Sequence, residues 1–172
     1  MKNIIKTILY LQMTAMFVTA TLAGPAAAEK EKPFHGSIQA VETSFPLFPP
    51  EVIFPTLFVD AIGSGHATHL GRFTVTYKFE VNLDTFFGIG SAHFIAANGD
   101  SIFTDIEGQG TVPTVDGVSF IVETHTITGG TGRSDGATGS FTVERVINVF
   151  TGVTSGSFCG TIVIHKKKHK TK

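Results

Sequence analysis

The chain has one cysteine, Cys159, no tryptophan, and little charge: Asp, Glu, Lys and Arg make up 16% of its 172 residues. A single thiol forms no disulfide within the chain, so stability has to come from a packed core even in an oxidising compartment. It also excludes the multi-cysteine zinc frameworks. Acidic and basic residues nearly cancel, to a formal net charge of −1, which gives no general attraction for nucleic acid. A Gly-x-Ser-x-Gly elbow, a catalytic Cys/His signature and a dinucleotide fingerprint are missing too, so hydrolase and oxidoreductase classes recede and no cofactor is expected. No metal is expected either. His66, His69, His93 and His125 lie in strand-like segments, but there is no His-x-His pair. His66 and His69, three apart, would point to opposite faces of a strand.

What is present begins with an export signal. Lys2 and Lys6 precede an apolar run from about Ile8 to Leu22, which leads into the small residues Ala23 to Ala28. That order is a secretory signal peptide, with cleavage placed after Ala28 and Ala23 as the weaker alternative. A membrane anchor wants roughly 20 predominantly apolar residues, whereas this run is shorter and contains Gln12. No cysteine follows it to carry a lipid. The expectation is export to a periplasmic or extracellular location, with residues 1–28 removed and one domain over 29–165. The basic residues 166–172 read as a disordered, solvated tail. With no aromatic residues to stack on bases, that tail offers at most weak attraction to an anionic membrane.

The mature part is rich in Thr, Val, Ile, Phe and Gly, and no stretch shows apolar spacing of three and four over two turns. That excludes amphipathic helices and favours strands. The clearest is 72–83, where Phe73, Val75, Tyr77, Phe79 and Val81 alternate with polar residues, one face dry and one wet. Seven further segments read alike: 34–42, 57–68, 89–97, 101–112, 118–127, 137–148 and 155–165. Short turn signals, Asn98-Gly99-Asp100 the strongest, separate most of them. Strands joined so tightly are antiparallel neighbours. Eight in up-and-down order leave two open edges unless the sheet closes, so an eight-stranded antiparallel barrel is expected, with a two-sheet β-sandwich as the alternative. Cys159, in an apolar strand, is expected as a buried, inert thiol.

One connection differs. Residues 43–56 combine Pro46, Pro49, Pro50 and Pro55 with Phe45, Leu47, Phe48, Val52, Ile53 and Phe54. Proline excludes central strand pairing, yet so many apolar side chains need a surface to cover. A lid over a barrel mouth, a subunit contact and a plug of the barrel end all remain open.

Gly129-Gly130-Thr131-Gly132-Arg133 is the densest local pattern. A phosphate cradle is excluded because a strand, not a helix opened by Lys-Ser/Thr, follows. This stretch, with Ala137 and Gly139 behind it, resembles the late-barrel motif of the allene oxide cyclase and dirigent superfamily. Gly65-His66-Ala67-Thr68-His69-Leu70-Gly71-Arg72-Phe73 and Ala96-Ala97-Asn98-Gly99-Asp100 are similar to segments of bacterial exported allene-oxide-cyclase-like barrels. The resemblance spans roughly residues 57–164. It departs at Ser134-Asp135, where relatives carry an aromatic residue after the arginine. It implies an eight-stranded, calycin-like barrel, oligomeric in plant members, but not an activity, since fold and function separate easily.

Candidate chemistry rests on few residues. Arg145 shares a strand side with Phe141, Val143 and Ile147; facing inward it would need a carboxylate partner. Slipped by one position it would face water. Paired in a lumen, it would polarise a ligand carbonyl or epoxide oxygen. Glu123 and His125 are the other catalytic candidates, from a wider set of Asp105, Glu107 and Glu144. Phe73, Tyr77, Phe79, Phe94, Phe120 and Phe141 would supply ligand-binding surface, or simply a filled core. Three functions follow: a barrel binding a small apolar ligand or a protein partner, a cyclase, isomerase or dirigent-like enzyme without cofactor, or a structural envelope protein. A homo-oligomer is compatible with each.

Overall fold

The computed structural model describes residues 30–47 and 56–165. The signal segment 1–28, the middle of the proline-rich connection and the tail 166–172 lie outside the described residues. Eight strands form: β1 (Lys32–Leu47), β2 (Thr56–Ala67), β3 (Gly71–Asn82), β4 (Phe87–Ala96), β5 (Ser101–Gly110), β6 (Val118–Gly130), β7 (Thr138–Asn148) and β8 (Val153–Val163). Every consecutive pair is antiparallel, and β1 pairs β8 from Lys32↔Ile162 to Val41↔Val153, so the sheet closes into a barrel. Closure removes the two edges that eight alternating strands would otherwise expose. The sandwich alternative is thereby excluded.

Strand alternation sets the contents of the lumen. On β3, Phe73, Val75, Tyr77 and Phe79 are buried, and on β7 Phe141, Val143, Arg145 and Ile147 are. At the end where β2 turns into β3 and β6 into β7, phenylalanines fill the barrel. Phe34, Phe141 and Phe158 lie 5.1–5.3 Å apart by ring centroid, and Phe73 meets Phe94 at 5.3 Å. These edge-to-face and tilted contacts are the favoured aromatic geometries. A bulge in β6 at Thr128, where Phe103 pairs Gly129 but Thr104 pairs Ile127, bends the sheet at this end.

The glycine-rich motif acts as a clasp. Thr131 bonds Ser101 through backbone and hydroxyl, and Arg133 Nε donates to Asp100 Oδ2 at 2.7 Å. Gly132, at φ 62°, passes so close to Asp100 that an added Cβ would lie 1.7 Å from Oδ1. The two turns therefore lock together only with glycine there.

Three sequence expectations need correction. β1 continues through Thr43 to Leu47, pairing Pro46 with Leu57, so the connection is shorter than residues 43–56. Beyond Glu42, whose N–H donates to Gly152 O, β2 is the strand's only ladder partner among the described residues, and a proline is tolerated where one side carries no ladder. Cys159 is exposed, because Thr154, Phe158 and Ile162 occupy the inward positions of β8. Phe120 faces outward at 59% exposure, since β6 turns the opposite parity, Ser119, Glu123, His125 and Ile127, into the lumen.

Candidate functional site

The end of the barrel opposite the phenylalanine cluster is hollow. Glycine occupies the inward positions 88, 108 and 110, where alternation would otherwise place side chains, and a cavity of about 300 Å³ results. Its walls are apolar, with Leu57, Val59, Phe79, Val81, Ile121 and Ile147 prominent, and Thr111 and Ser119 also contribute. Phe86, from the β3–β4 turn, lines it with a left-handed backbone at φ 56°. A bulky residue held there is strained by about 1–2 kcal/mol. The backbone bonds Phe86 N to Asn82 O and Gly110 N to Phe86 O hold it in place.

Three charged side chains, Glu42, Glu123 and Arg145, form the polar part of the lining. Arg145 Nε donates to both oxygens of Glu123 at 3.1 Å, and Nη2 donates to Glu123 Oε1 at 2.7 Å. Nη1 donates to Glu42 Oε1 and, at 3.1 Å, to Thr154 Oγ1. The guanidinium carbon also sits 5.6 Å from the Phe79 ring centroid. Most of the guanidinium's donors are thus engaged, as a buried charge requires. Arg145 faces inward and has the carboxylate partners that an inward register requires.

Behind this trio lies His125, fully buried and stacked on Phe141 at 4.6 Å. Its Nδ1 is 3.0 Å from Thr104 Oγ1, and its Nε2 is 3.7 Å from Glu123 Oε2, beyond hydrogen-bond length. A Thr104 hydroxyl that donates to Nδ1 leaves Nε2–H facing the carboxylate, the arrangement the charges favour. Burial works to push the Glu123 carboxyl up, but the imidazole and guanidinium beside it prevail and hold it below the usual carboxylate range. Glu42 behaves oppositely. Burial dominates there and pushes its carboxyl up, against the pull of Arg145. Burial also raises the Tyr77 phenol, with the nearby Glu123 charge adding to the shift, so it stays protonated. Two carboxyls bound to one arginine therefore titrate apart, one kept ionised and one inclined to hold its proton.

The structure brings Arg145, Glu123 and His125 together, and of the aromatic candidates Phe79 lines the cavity. Phe73, Tyr77, Phe94 and Phe141 belong to the filled part of the lumen, and Phe120 lies outside it. Asp105, Glu107 and Glu144 are exposed. His66 and His69 are exposed as well, and His93 stacks on Phe103 at 4.6 Å. Among the described residues no group of three or more His, Cys, Asp or Glu is arranged to hold a metal ion. Glu42 is the residue the sequence did not single out. Its signal was the parity of Phe34, Ile38 and Ala40, which it continues inward.

No family model matches the chain, and no curated protein matches it. Among solved structures, that of a pterocarpan synthase dirigent protein is similar, with a TM-score of 0.50 at 15% identity, covering 84% of this chain and 90% of that one. At this identity the likeness concerns the fold alone: the chain's closed eight-stranded barrel is similar in fold to that protein.

Proposed function

We propose that the protein is an exported small-molecule-binding barrel whose hollow end takes an apolar ligand bearing one polar group. The observation that carries this is the 300 Å³ cavity, apolar on its walls and lined at one place by the Glu42, Arg145 and Glu123 side chains. Pre-formed apolar concavities with a few convergent polar groups are the usual form of ligand sites. Native mass spectrometry of protein from its own source tests it. The expected result is a chain beginning at Glu29 that retains a small molecule. Gly110→Val should abolish retention while leaving the fold intact, because a Cβ at Gly110 meets nothing closer than 3.7 Å. Repeated preparations without ligand, or retention unchanged in Gly110→Val, would count against the cavity.

A second reading, that the barrel steers a reactive intermediate as a cyclase, isomerase or dirigent-like enzyme, is favoured by Glu42. A carboxyl that burial inclines toward its protonated form, facing an apolar cavity, is placed to act as a general acid. Product analysis with Glu42→Gln separates the two readings, since a carrier has no turnover to lose.

A further inference from the structure

At the cavity the carboxylates outnumber the cation. Arg145 is shared between Glu123, which takes Nε and Nη2, and Glu42, which takes one Nη1 donor. Glu42 Oε2 accepts no hydrogen bond from any described residue, although its side chain is only 10% exposed and lines the cavity. An acceptor oxygen that faces a largely apolar cavity without a protein donor is poorly solvated, and an ionised carboxylate there more so. A ligand that brings a donor with positive charge relieves both. One that brings a carboxylate meets two like charges and an arginine already occupied.

We propose that the hollow end selects organic cations, apolar molecules carrying one protonated amine, and discriminates against fatty-acid-like anions. The ammonium would sit against Glu42 Oε2, with its hydrocarbon part along Leu57, Val59, Val81 and Ile121. The volume sets the size: about 300 Å³ holds roughly ten water-sized groups, so an eight-carbon chain fits and a long acyl chain does not. This inference rests on the ligand-binding reading above and adds the sign of the charge.

Calorimetric titration of the full chain with octylamine, octan-1-ol and octanoate at neutral pH tests it. Octylamine should bind about tenfold tighter than octanol, and octanoate more weakly than octanol. In Glu42→Gln the ratio of octylamine to octanol affinity should fall toward one. As an independent check on the unmutated chain, octylamine affinity should weaken on acidification as Glu42 takes up its proton, above the ordinary value of 4.5. The groups facing Glu42 are Arg145 and Glu123, with Tyr77 and His125 deeper in the lumen. Octanoate binding as tightly as octylamine, or an amine preference that survives Glu42→Gln, overturns the proposal while octanol binding keeps the cavity reading alive. If none of the three probes binds, the cavity reading itself falls and this inference with it.

Discussion

Arg145 carries the electrostatics of the lumen. It is the cation between Glu42 and Glu123, and its guanidinium also bonds Thr154, whose hydroxyl donates onward to Val146 O. Arg145→Met would leave two buried carboxylates uncompensated, and removing one partner of a buried pair costs about 3–5 kcal/mol. Urea unfolding at neutral pH should show a loss of that size, smaller at low pH where Glu42 is protonated. Glu42 itself gives a pH signature of opposite sign to that of Glu123. Its folded value lies above the unfolded 4.5, so its contribution is full below 4.5 and lost as pH rises through the folded value. The stability of Glu42→Gln relative to the parent should therefore increase over that window. Glu123, held below 4.5, contributes stability that is present above 4.5 and lost as pH falls through its folded value. A pH-independent difference between Glu42→Gln and the parent would contradict this assignment. Arg145 was legible as a candidate because it shares a strand side with Phe141, Val143 and Ile147, whereas Glu123 was legible only as a charge on a strand whose inward face the sequence left open. Glu42 was not, because at the apparent end of a strand alternation alone does not say whether a side chain meets the lumen or water.

At the level of the element, β6 shows where alternation becomes ambiguous. Val118, Phe120 and Val122 on one side compete with Ile121 and Ile127 on the other, so hydrophobicity alone does not choose a face. Pairing chooses it: His125 lies opposite Phe141 and Glu123 opposite Val143, both of which point inward. Phe120 then sits outside, opposite Val146. Phe120→Ser should change stability by no more than about 0.5 kcal/mol, as surface substitutions do. Phe141→Ala, which removes contacts with Phe34, Phe94, Phe158 and His125, should cost about 3–5 kcal/mol. Thermal or urea unfolding of the two variants reads the difference, and equal losses would mean that the face of β6 is misassigned. β3 posed no such problem, because its apolar residues all fall on one parity.

For the whole molecule, the β1–β8 seam decides between a barrel and an open sheet. Ser157 lies opposite Ser37 on one side and Glu144 on the other, so β8 is an interior strand. Ser157→Pro removes a ladder donor and intrudes on a paired neighbour, and should destabilise by more than the about 1 kcal/mol of one hydrogen bond. In an open sheet, where β8 would be an edge, the same change would be tolerated, and denaturation of the purified variant distinguishes the two. The sequence by itself determined the strands, their antiparallel order and the need to close, because a two-residue period and short turns are local properties. It also marked a tight turn at Gly129 to Gly132, since positive φ favours glycine, but that this turn clasps Asp100 came only from the tertiary structure. Only the tertiary structure decided which end of the lumen is filled and which is hollow, that Glu42 joins Glu123 on one arginine, and that Cys159 and Phe120 lie outside. Those outcomes depend on side chains that meet across the barrel from strands distant in sequence, and no local pattern encodes that meeting.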